Sequence, residues 1–276
     1  PRPRPFFRLT MPHAWKPSPA MKASFALHGA AALGTLAVPA AWPWALGALA
    51  ANHAVLTLAG LLPRSTLLGP NLTRLPDTAA ARNEIALTID DGPHPEVTPR
   101  VLDLLDAAGA KASFFCIGRY ARQHPALCQE IVARGHRVEN HGDSHSMMFA
   151  TFGLKRIRAD ISNAQATLAD ITGQNPRFFR PTAGLRNPLL DPVLASLDLK
   201  LASWTRRSYD TLEGDSLRVY GRLSRGLGPG DILLLHDRHG ATAADGRPVI
   251  LSVLPRLLES IKQAQLIPVT LESALR

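Results

Sequence analysis

The sequence predicts an α/β fold of about seven strand–helix units, with a parallel sheet that is open or closed into a barrel, following an apolar N-terminal membrane segment. Two observations predict it. From residue 84 onward, short β-type runs alternate with helix-type runs, whereas residues 23–63 contain no Asp, Glu, Lys or Arg. Alternation of this kind is typical of a parallel sheet with right-handed crossovers, either open or closed into a barrel.

The predicted strands are short apolar runs separated by helix-type segments. In 154–171 and in 250–261 the apolar residues recur at helical spacing and share one face, which predicts amphipathic helices. Seven strands with helices between them account for nearly all of the chain after residue 83. The predicted strands are 84–89, 111–117, 136–140, 177–180, 199–204, 231–236 and 266–270.

The uncharged stretch 23–63 is interrupted by Pro39 and Pro43. Because one apolar helix needs about 20 residues to cross a bilayer, the stretch has room for one or two spans, roughly 24–39 and 43–62. We therefore predict a bacterial-type protein anchored in the inner membrane. The number of spans decides on which side of the membrane the catalytic domain lies.

Two alternatives to a membrane anchor stay open. If synthesis starts at Met21, the apolar run is a signal peptide with a cleavage site near 38–41, and the domain is exported. The run could also be a buried hairpin. The chain accordingly divides into a basic segment (1–22), an apolar region (23–63), a linker (64–83) and a catalytic domain (84–276).

Charge and cysteine content exclude some classes of protein. The net charge is +9 over 276 residues, but the first basic residues precede every acidic one and lie beside the apolar stretch. This pattern favours a membrane surface over nucleic acid. Cys116 and Cys128 provide no disulfide framework, and we predict two buried free thiols.

Polar residues of catalytic type follow the predicted strands at their carboxyl ends. In a barrel of parallel strands this rim is where sites are built, so five separate segments are expected to converge there. The residues are Asp90 and Asp91 after the first strand, Asn140, His141 and His145 at the third, Arg180 at the fourth, Asp210 after the fifth and His236 at the sixth.

His141 and His145 have the spacing His-x-x-x-His, which places both rings on one face of a helical turn or across a tight loop. Two imidazoles and one carboxylate form a facial ligand set for a divalent cation. The loop 88–93 supplies paired carboxylates, of which one can bind metal while the other acts as a base. A turn explains Gly92 and Pro93 but does not require two adjacent acids.

Five segments together resemble, in order, the five motifs of the polysaccharide deacetylase family, also known as the NodB-homology domain and as carbohydrate esterase family 4. The resemblance covers roughly Glu84 to Leu271. It implies a distorted barrel of seven or eight β/α units. The segments are Thr88–Pro93, His141–His145, Arg180–Gly184, Trp204–Asp210 and Leu235–Asp237.

The resemblance also implies roles for the first group of site residues. Asp91, His141 and His145 would hold one divalent metal ion. Zinc is the expected ion, with cobalt, nickel or iron as alternatives. Asp90 would be the general base, and Arg180 would pair with it and hold it in place.

The remaining roles implied by the resemblance concern the other side of the scissile bond. His236 would be the general acid and Asp210 would orient it. A backbone N–H near Ala183 would stabilise the oxyanion, and Thr182 and Trp204 would line the substrate groove. Protonation of the amine leaving group is the task of such an acid in amide hydrolysis.

The sequence departs from the family pattern at four places: Ile89, Gly142, Thr182–Ala183 and Thr211. The last two replace positions that are often aromatic in the family. Aromatic faces commonly grip sugar rings, so we expect a substrate other than a long, regular polymer. A lipid-linked or short amino-sugar precursor would suit a membrane-tethered enzyme.

These observations predict a hydrolase of linear amide bonds that removes an N-acyl group, first of all acetyl, from an acylated amino sugar. Two alternatives are a hydrolase of another small amide or formyl group, and an inactive membrane-tethered binding protein. Asp237 and His239 lie close to His236 and could line the site, but we favour structural roles for them. Structural or solvated positions are also predicted for His28, His53, His94, His124 and His136.

Overall fold

A computed structural model describes residues 14–276. Arg2, Arg4 and Arg8, on which the predicted basic segment depends, lie outside the described residues. The strands are β1 (Glu84–Asp90), β2 (Ala112–Cys116), β3 (Arg137–Asn140), β4 (Phe178–Phe179), β5 (Lys200–Leu201), β6 (Arg206–Arg207), β7 (Ile232–His236) and β8 (Ile267–Val269).

Eleven α-helices are found among the described residues, together with short 3-10 turns at Pro39–Ala41, Phe149–Thr151 and Thr182–Gly184. The helices are α1 (Pro19–Ala37), α2 (Trp42–Leu61), α3 (Asp77–Ala81), α4 (Val97–Ala107), α5 (Gly118–Gln123), α6 (Pro125–Ala133), α7 (Leu154–Thr172), α8 (Leu190–Ser196), α9 (Ser216–Ser224), α10 (Val249–Gln263) and α11 (Leu271–Ala274).

The strands form one sheet in the order β5-β4-β3-β2-β1-β7-β6, with β8 paired to the first half of β1. Every strand pairing in this path is parallel. The predicted curled (β/α) barrel is thus confirmed, as are the two amphipathic helices, which are α7 and α10. In register, Asp90 lies opposite both Phe115 and His236, so the strand ends meet at one rim.

One part of the strand prediction was wrong. The strand expected at 199–204 is reduced to Lys200–Leu201, and a further two-residue strand, Arg206–Arg207, pairs with β7. A pair of arginines has no apolar alternation that could predict a strand. The tertiary pairing with the fully buried β7 creates it.

Alternation along β1 decides what faces the site. Ile85, Leu87 and Ile89 pack with the helices in the largest core cluster. Because successive side chains of a strand point to opposite faces, Thr88 and Asp90 project to the other face, towards the barrel interior. The polar side chains at the end of β1 therefore project from a strand whose other face packs in the apolar core. Both cysteines are buried and unpaired, as predicted.

The apolar region forms a helical hairpin of α1 and α2. The segment Pro39–Leu61 is long and apolar enough to cross a membrane, and only 17% of an 18-residue apolar stretch within it is buried. The base of the hairpin packs on the domain through Met21, Leu56, Ala59 and Leu68. The following residues, predicted as a linker, contain α3 and several buried side chains, and so pack against the barrel.

Candidate active site

A buried ion pair lies at the floor of the site. Arg180 is 1% exposed, and its Nη1 donates to Asp90 Oδ1 at 2.6 Å and to Thr88 Oγ1 at 2.9 Å. Its other N–H groups donate to the carbonyls of Ala202 and Ser203. Burial lowers the pKa of Arg180, and Asp90 opposes this shift. With four hydrogen bonds on three of its nitrogens, the guanidinium is held rigidly and fixes the Asp90 carboxylate in one position.

Asp91 is the centre of an imidazole cluster. Its Oδ1 lies 3.1 Å from His141 Nε2 and 3.0 Å from His145 Nε2, and its Oδ2 lies 3.0 Å from His239 Nδ1. Burial opposes ionisation of Asp91, but hydrogen bonds from the three histidines hold its pKa well below the ordinary value. The carboxylate is therefore ionised and surrounded by nitrogen ligand atoms.

The tautomer of His141 is set by a backbone carbonyl. Nδ1 donates to the Arg180 carbonyl oxygen at 2.7 Å, and Nε2 lies 3.1 Å from Asp91 Oδ1. Such an outer hydrogen bond commonly orients a metal-binding imidazole. Burial opposes protonation of His141, but Asp90 and Asp91 raise its pKa, so Nε2 becomes a free ligand atom only when it loses its proton to make room for a cation. Burial lowers the pKa of His145, against the pull of Asp91. A neutral imidazole is the form that binds a cation.

The loop that presents both histidines is tight and not helical. The carboxylate of Asp160 accepts the backbone N–H groups of Asp143 and Ser144, at 3.2 and 2.9 Å. A Cβ at Gly142 would lie 2.6 Å from that carboxylate, and the φ of Gly142 is +76°. Glycine is thus required here by both space and backbone conformation.

The donor set fits a divalent metal ion. Ligand atoms of Asp91, His145 and His239 lie within 4.8 Å of one another, and His141 shares Asp91 Oδ1 with His145. A carboxylate with imidazoles suits zinc, and also cobalt, nickel or iron. The predicted trio is close together, and His239 adds a third imidazole that sequence reasoning had treated as structural.

A second dyad lies on the neighbouring strand. His236 Nδ1 contacts Asp210 Oδ1 at 2.7 Å, and the backbone N–H of His236 donates to Asp210 Oδ2 at 2.8 Å. Burial opposes protonation of His236, but the Asp210 carboxylate raises its pKa to about 9. The imidazole is therefore protonated at neutral pH. Asp237 points elsewhere, to Thr98, and burial raises its pKa to about 7.

These groups share a cavity of about 440 Å³. Thr182 and Ala183 form one wall, and Ala183 has a φ of +55°. Trp204 is 5% exposed and lines the cavity while it packs in the barrel interior, so it belongs to both core and site. Arg180 and Asp210 stand behind the cavity and contact its lining residues. All ten predicted site residues are therefore brought together.

Apart from His239, seven lining residues were not predicted as site residues: Arg119, Met147, Gly184, Arg207, Thr211, Leu212 and Leu234. Met147 and Leu212 are 71% and 84% exposed and give the mouth an apolar rim. Both lie outside the five motif segments, in turns whose positions depend on the fold, whereas Arg119 comes from α5 and Arg207 from β6. His239 lies three residues after His236 and Arg207 lies within the segment Trp204–Asp210, but neither position by itself indicates a contact with the site.

Fold and site together define a parallel (β/α) barrel with a carboxylate–histidine cluster at the carboxyl rim. The sequence model described as polysaccharide deacetylase matches residues 77–202. The chitooligosaccharide deacetylase of Azorhizobium caulinodans is 34% identical over 160 residues, which cover 56% of this chain and 74% of the relative. The chain belongs to the polysaccharide deacetylase family.

Other comparisons agree on the family. The peptidoglycan-N-acetylglucosamine deacetylase PgdA of Listeria monocytogenes is 32% identical over 177 residues, which cover 63% of this chain but only 37% of PgdA. The structure of a family 4 carbohydrate esterase from Streptomyces lividans, in complex with acetate, superposes with a TM-score of 0.60. It is 31% identical, with 67% of this chain and 91% of the esterase covered.

Proposed function

We propose that this chain is a metal-dependent hydrolase that removes an N-acyl group, in the first instance acetyl, from an acylated amino sugar. One observation supports this most directly. A single cavity holds a carboxylate fixed by a buried arginine, a carboxylate–imidazole cluster, and a protonated histidine backed by a carboxylate. Amide hydrolysis needs a base, an electrophilic site and an acid within reach of one bond.

Asp91, His141 and His145 are the proposed metal ligands, with His239 beside them. A divalent ion held there would supply Lewis acidity, which polarises a carbonyl oxygen and makes water acidic enough to react near neutral pH. The protein contributes orientation, because the Arg180 carbonyl fixes the ring of His141. The relatives named as deacetylases of N-acetylglucosamine polymers and oligomers support an acetylated amino sugar as substrate.

Asp90 is the proposed general base. Its carboxylate is 2% exposed and is held at 2.6 Å by Arg180, so one oxygen is committed to the ion pair and the other, Oδ2, lies 3.8 Å from His141 Nε2. A proton taken from water by Oδ2 would be received beside the metal ligands. The hydrogen bond from Arg180, which is itself held by Thr88, keeps the carboxylate from rotating away during the transfer.

His236 is the proposed general acid. It carries a proton at neutral pH because of Asp210, and it lines the same cavity as Asp90. Transfer of that proton to the departing nitrogen would turn a poor leaving group into a neutral amine. The backbone at Ala183, turned by its positive φ, is proposed to donate to the oxyanion.

We further propose that the hairpin anchors the chain in a membrane. Helices of 19 and 20 residues are each about 30 Å long, close to the thickness of a bilayer core. Their polar side chains pair with each other, Asn52 with Ser24 at 2.9 Å and His28 with His53 at 3.2 Å. Extraction of membranes with alkaline carbonate should leave the chain in the pellet, and release into the supernatant would contradict the anchor.

The experiment that tests the activity compares metal content with acetate release from acetylated amino sugars. Asp90→Asn should keep about one divalent ion per chain and lose activity by a factor of about 10² to 10⁴. His141→Ala should lose the ion as well. Asp103→Asn, which changes an exposed carboxylate, is the matched control. Full activity in Asp90→Asn would show that the assigned base is wrong.

A further inference from the structure

A second cavity adjoins the catalytic one and is lined largely by arginines. Its volume is about 830 Å³, and Arg207 lines both cavities, so it stands at their junction. No acidic residue lines this cavity among the residues that the structure describes. The arginines are Arg206, Arg207, Arg218, Arg222 and Arg225.

The positive charge of this cavity is only partly neutralised. Three of its arginines contact carboxylates outside the lining. Within residues 14–276, no carboxylate lies within 4.0 Å of the guanidinium groups of Arg207 and Arg225. The three pairs are Arg206 with Asp231 at 2.6 Å, Arg218 with Asp215 at 3.4 Å and Arg222 with Glu213 at 3.4 Å.

Arg207 is held in place by aromatic rings instead of acids. Its guanidinium carbon lies 5.3 Å from the centre of the Trp204 ring and 4.8 Å from that of Tyr209. Arg222 lies 5.5 Å from the same Tyr209 ring. Contacts with ring faces leave the N–H edges of a guanidinium available to a ligand.

Two features mark Arg207 as a ligand-binding group. Its Nε is buried without a hydrogen-bond partner, and a buried charged donor left in this state costs free energy unless something binds it. Tyr209, beside it, has a φ of +57°, a left-handed conformation that is strained in a non-glycine residue. Strain of this kind is typical of functional segments.

We propose that the arginine-lined cavity binds a phosphate or diphosphate group carried by the substrate, so that the amino sugar deacylated in the catalytic cavity is a phosphorylated one. This inference rests on the proposed function. Guanidinium forks match the oxygens of phosphate, and two unpaired cations suit a dianionic group. The loss of expected aromatic surface at Thr211 fits a substrate held by charge more than by ring stacking.

Two classes of substrate carry a phosphate or diphosphate next to the sugar: a soluble nucleotide-linked sugar and a lipid-linked sugar. The exposed hairpin does not decide between them. What they share is an anionic group next to the acylated sugar. Arg207, at the junction of the two cavities, would contact the phosphate nearest to the sugar. Arg222 and Arg225, on and beside α9, would contact the more distant charge.

The test measures binding to the full chain in detergent, after chelation of metal so that phosphate cannot bind to an ion. Calorimetry should show that N-acetylglucosamine 1-phosphate binds about tenfold or more tightly than N-acetylglucosamine. Arg207→Ala should abolish this preference and Arg207→Lys should restore part of it. Arg158→Ala, an exposed arginine of α7, is the matched control and should keep it.

Equal affinity for both sugars in the parent, or an unchanged preference in Arg207→Ala, would overturn the inference. Thermal melts exclude misfolding as a cause, and Arg207→Gln provides a second uncharged variant. If the preference depends on Arg207 but neither sugar loses acetate after metal is restored, the anion site stands and the proposed deacetylase function fails. If both sugars lose acetate equally well and Arg207→Ala has no effect, the deacetylase stands and the anion site fails.

Activity on diphosphate-linked substrates then separates the sources. N-acetylglucosamine linked through diphosphate to a nucleoside, in solution, is compared with the same sugar linked to a polyprenol in vesicles. A higher kcat/KM for either one than for N-acetylglucosamine supports the anion site and names its source. If neither diphosphate-linked substrate has a higher kcat/KM than N-acetylglucosamine, the inference is overturned.

Discussion

Asp210→Asn tests the electrostatic basis of the proposed acid. In the parent, the Asp210 carboxylate overcomes the burial of His236 and raises its pKa to about 9, against an ordinary value of 6.5. This difference corresponds to about 3 kcal/mol of preference for the imidazolium. Asparagine removes the charge, so burial prevails and the pKa of His236 should fall by about two to three units.

The sign of the effect on rate follows from the role of the acid. A general acid works only while it is protonated, so parental activity should persist through neutral pH and decline above the raised pKa of His236. In Asp210→Asn the decline should begin two to three units lower, with roughly a 10- to 100-fold loss of kcat/KM at pH 8. A cation at Asp91 lowers the pKa of His236 in both proteins, so the measured quantity is the difference between them.

The assay is the pH profile of kcat/KM for acetate release, with Asp103→Asn as control. Asparagine keeps only one of the two oxygens that face N–H groups of His236, and the loss of one acceptor costs about 1 to 3 kcal/mol of stability. Thermal melts at each pH must therefore show a folded variant. If kcat/KM declines at the same alkaline pH in Asp210→Asn and in the parent, the assignment of His236 as an acid controlled by Asp210 is refuted.

Two further predictions concern the fold. A Cβ at Gly60 would lie 2.1 Å from the Arg186 carbonyl oxygen, whereas one at Gly47 meets nothing within 4 Å. Gly60→Ala should therefore lower the free energy of unfolding by about 1 to 3 kcal/mol and make the base of the hairpin accessible to protease. If Gly60→Ala is as resistant to protease as the control Gly47→Ala, the hairpin is not docked as described. Burial raises the pKa of Glu139 to about 7 from 4.5, so the folded state binds its proton more tightly and stability falls as pH rises through this window. Glu139→Gln should remove about 3 kcal/mol of that fall in denaturant titrations from pH 4 to 8, and Glu259→Gln should not; parallel curves for parent and Glu139→Gln would show that Glu139 is not buried as described.

The motifs predicted which residues meet at the rim, because each follows a strand. Asp90 and His236 end β1 and β7, which pair in register, so their proximity follows from strand assignment and parallel pairing alone. The period-two pattern of Ile85, Leu87 and Ile89 likewise fixed which face of β1 is apolar. Local sequence patterns are enough to predict where a side chain points when it lies on a strand, because successive side chains of a strand alternate between its two faces.

Prediction failed where position depends on loops. His239 reaches Asp91 across 148 residues of sequence, and Arg207 reaches the cavity from a strand that has no apolar pattern. Neither contact has a signature in spacing, since it results from how the loop after β7 and the strand β6 are placed by their neighbours.

The sequence by itself determined the class of fold, the long apolar segment and most of the reactive side chains, because periodicity and residue type are local properties of a chain. Only the tertiary structure decided which of these groups are charged and what else surrounds them. Against the effect of burial, partners distant in sequence hold Asp91 ionised and keep His236 protonated, and the fold leaves Arg207 without a carboxylate partner among the described residues. Ionisation depends on distances in space, and these exist only once the sheet has curled around the site.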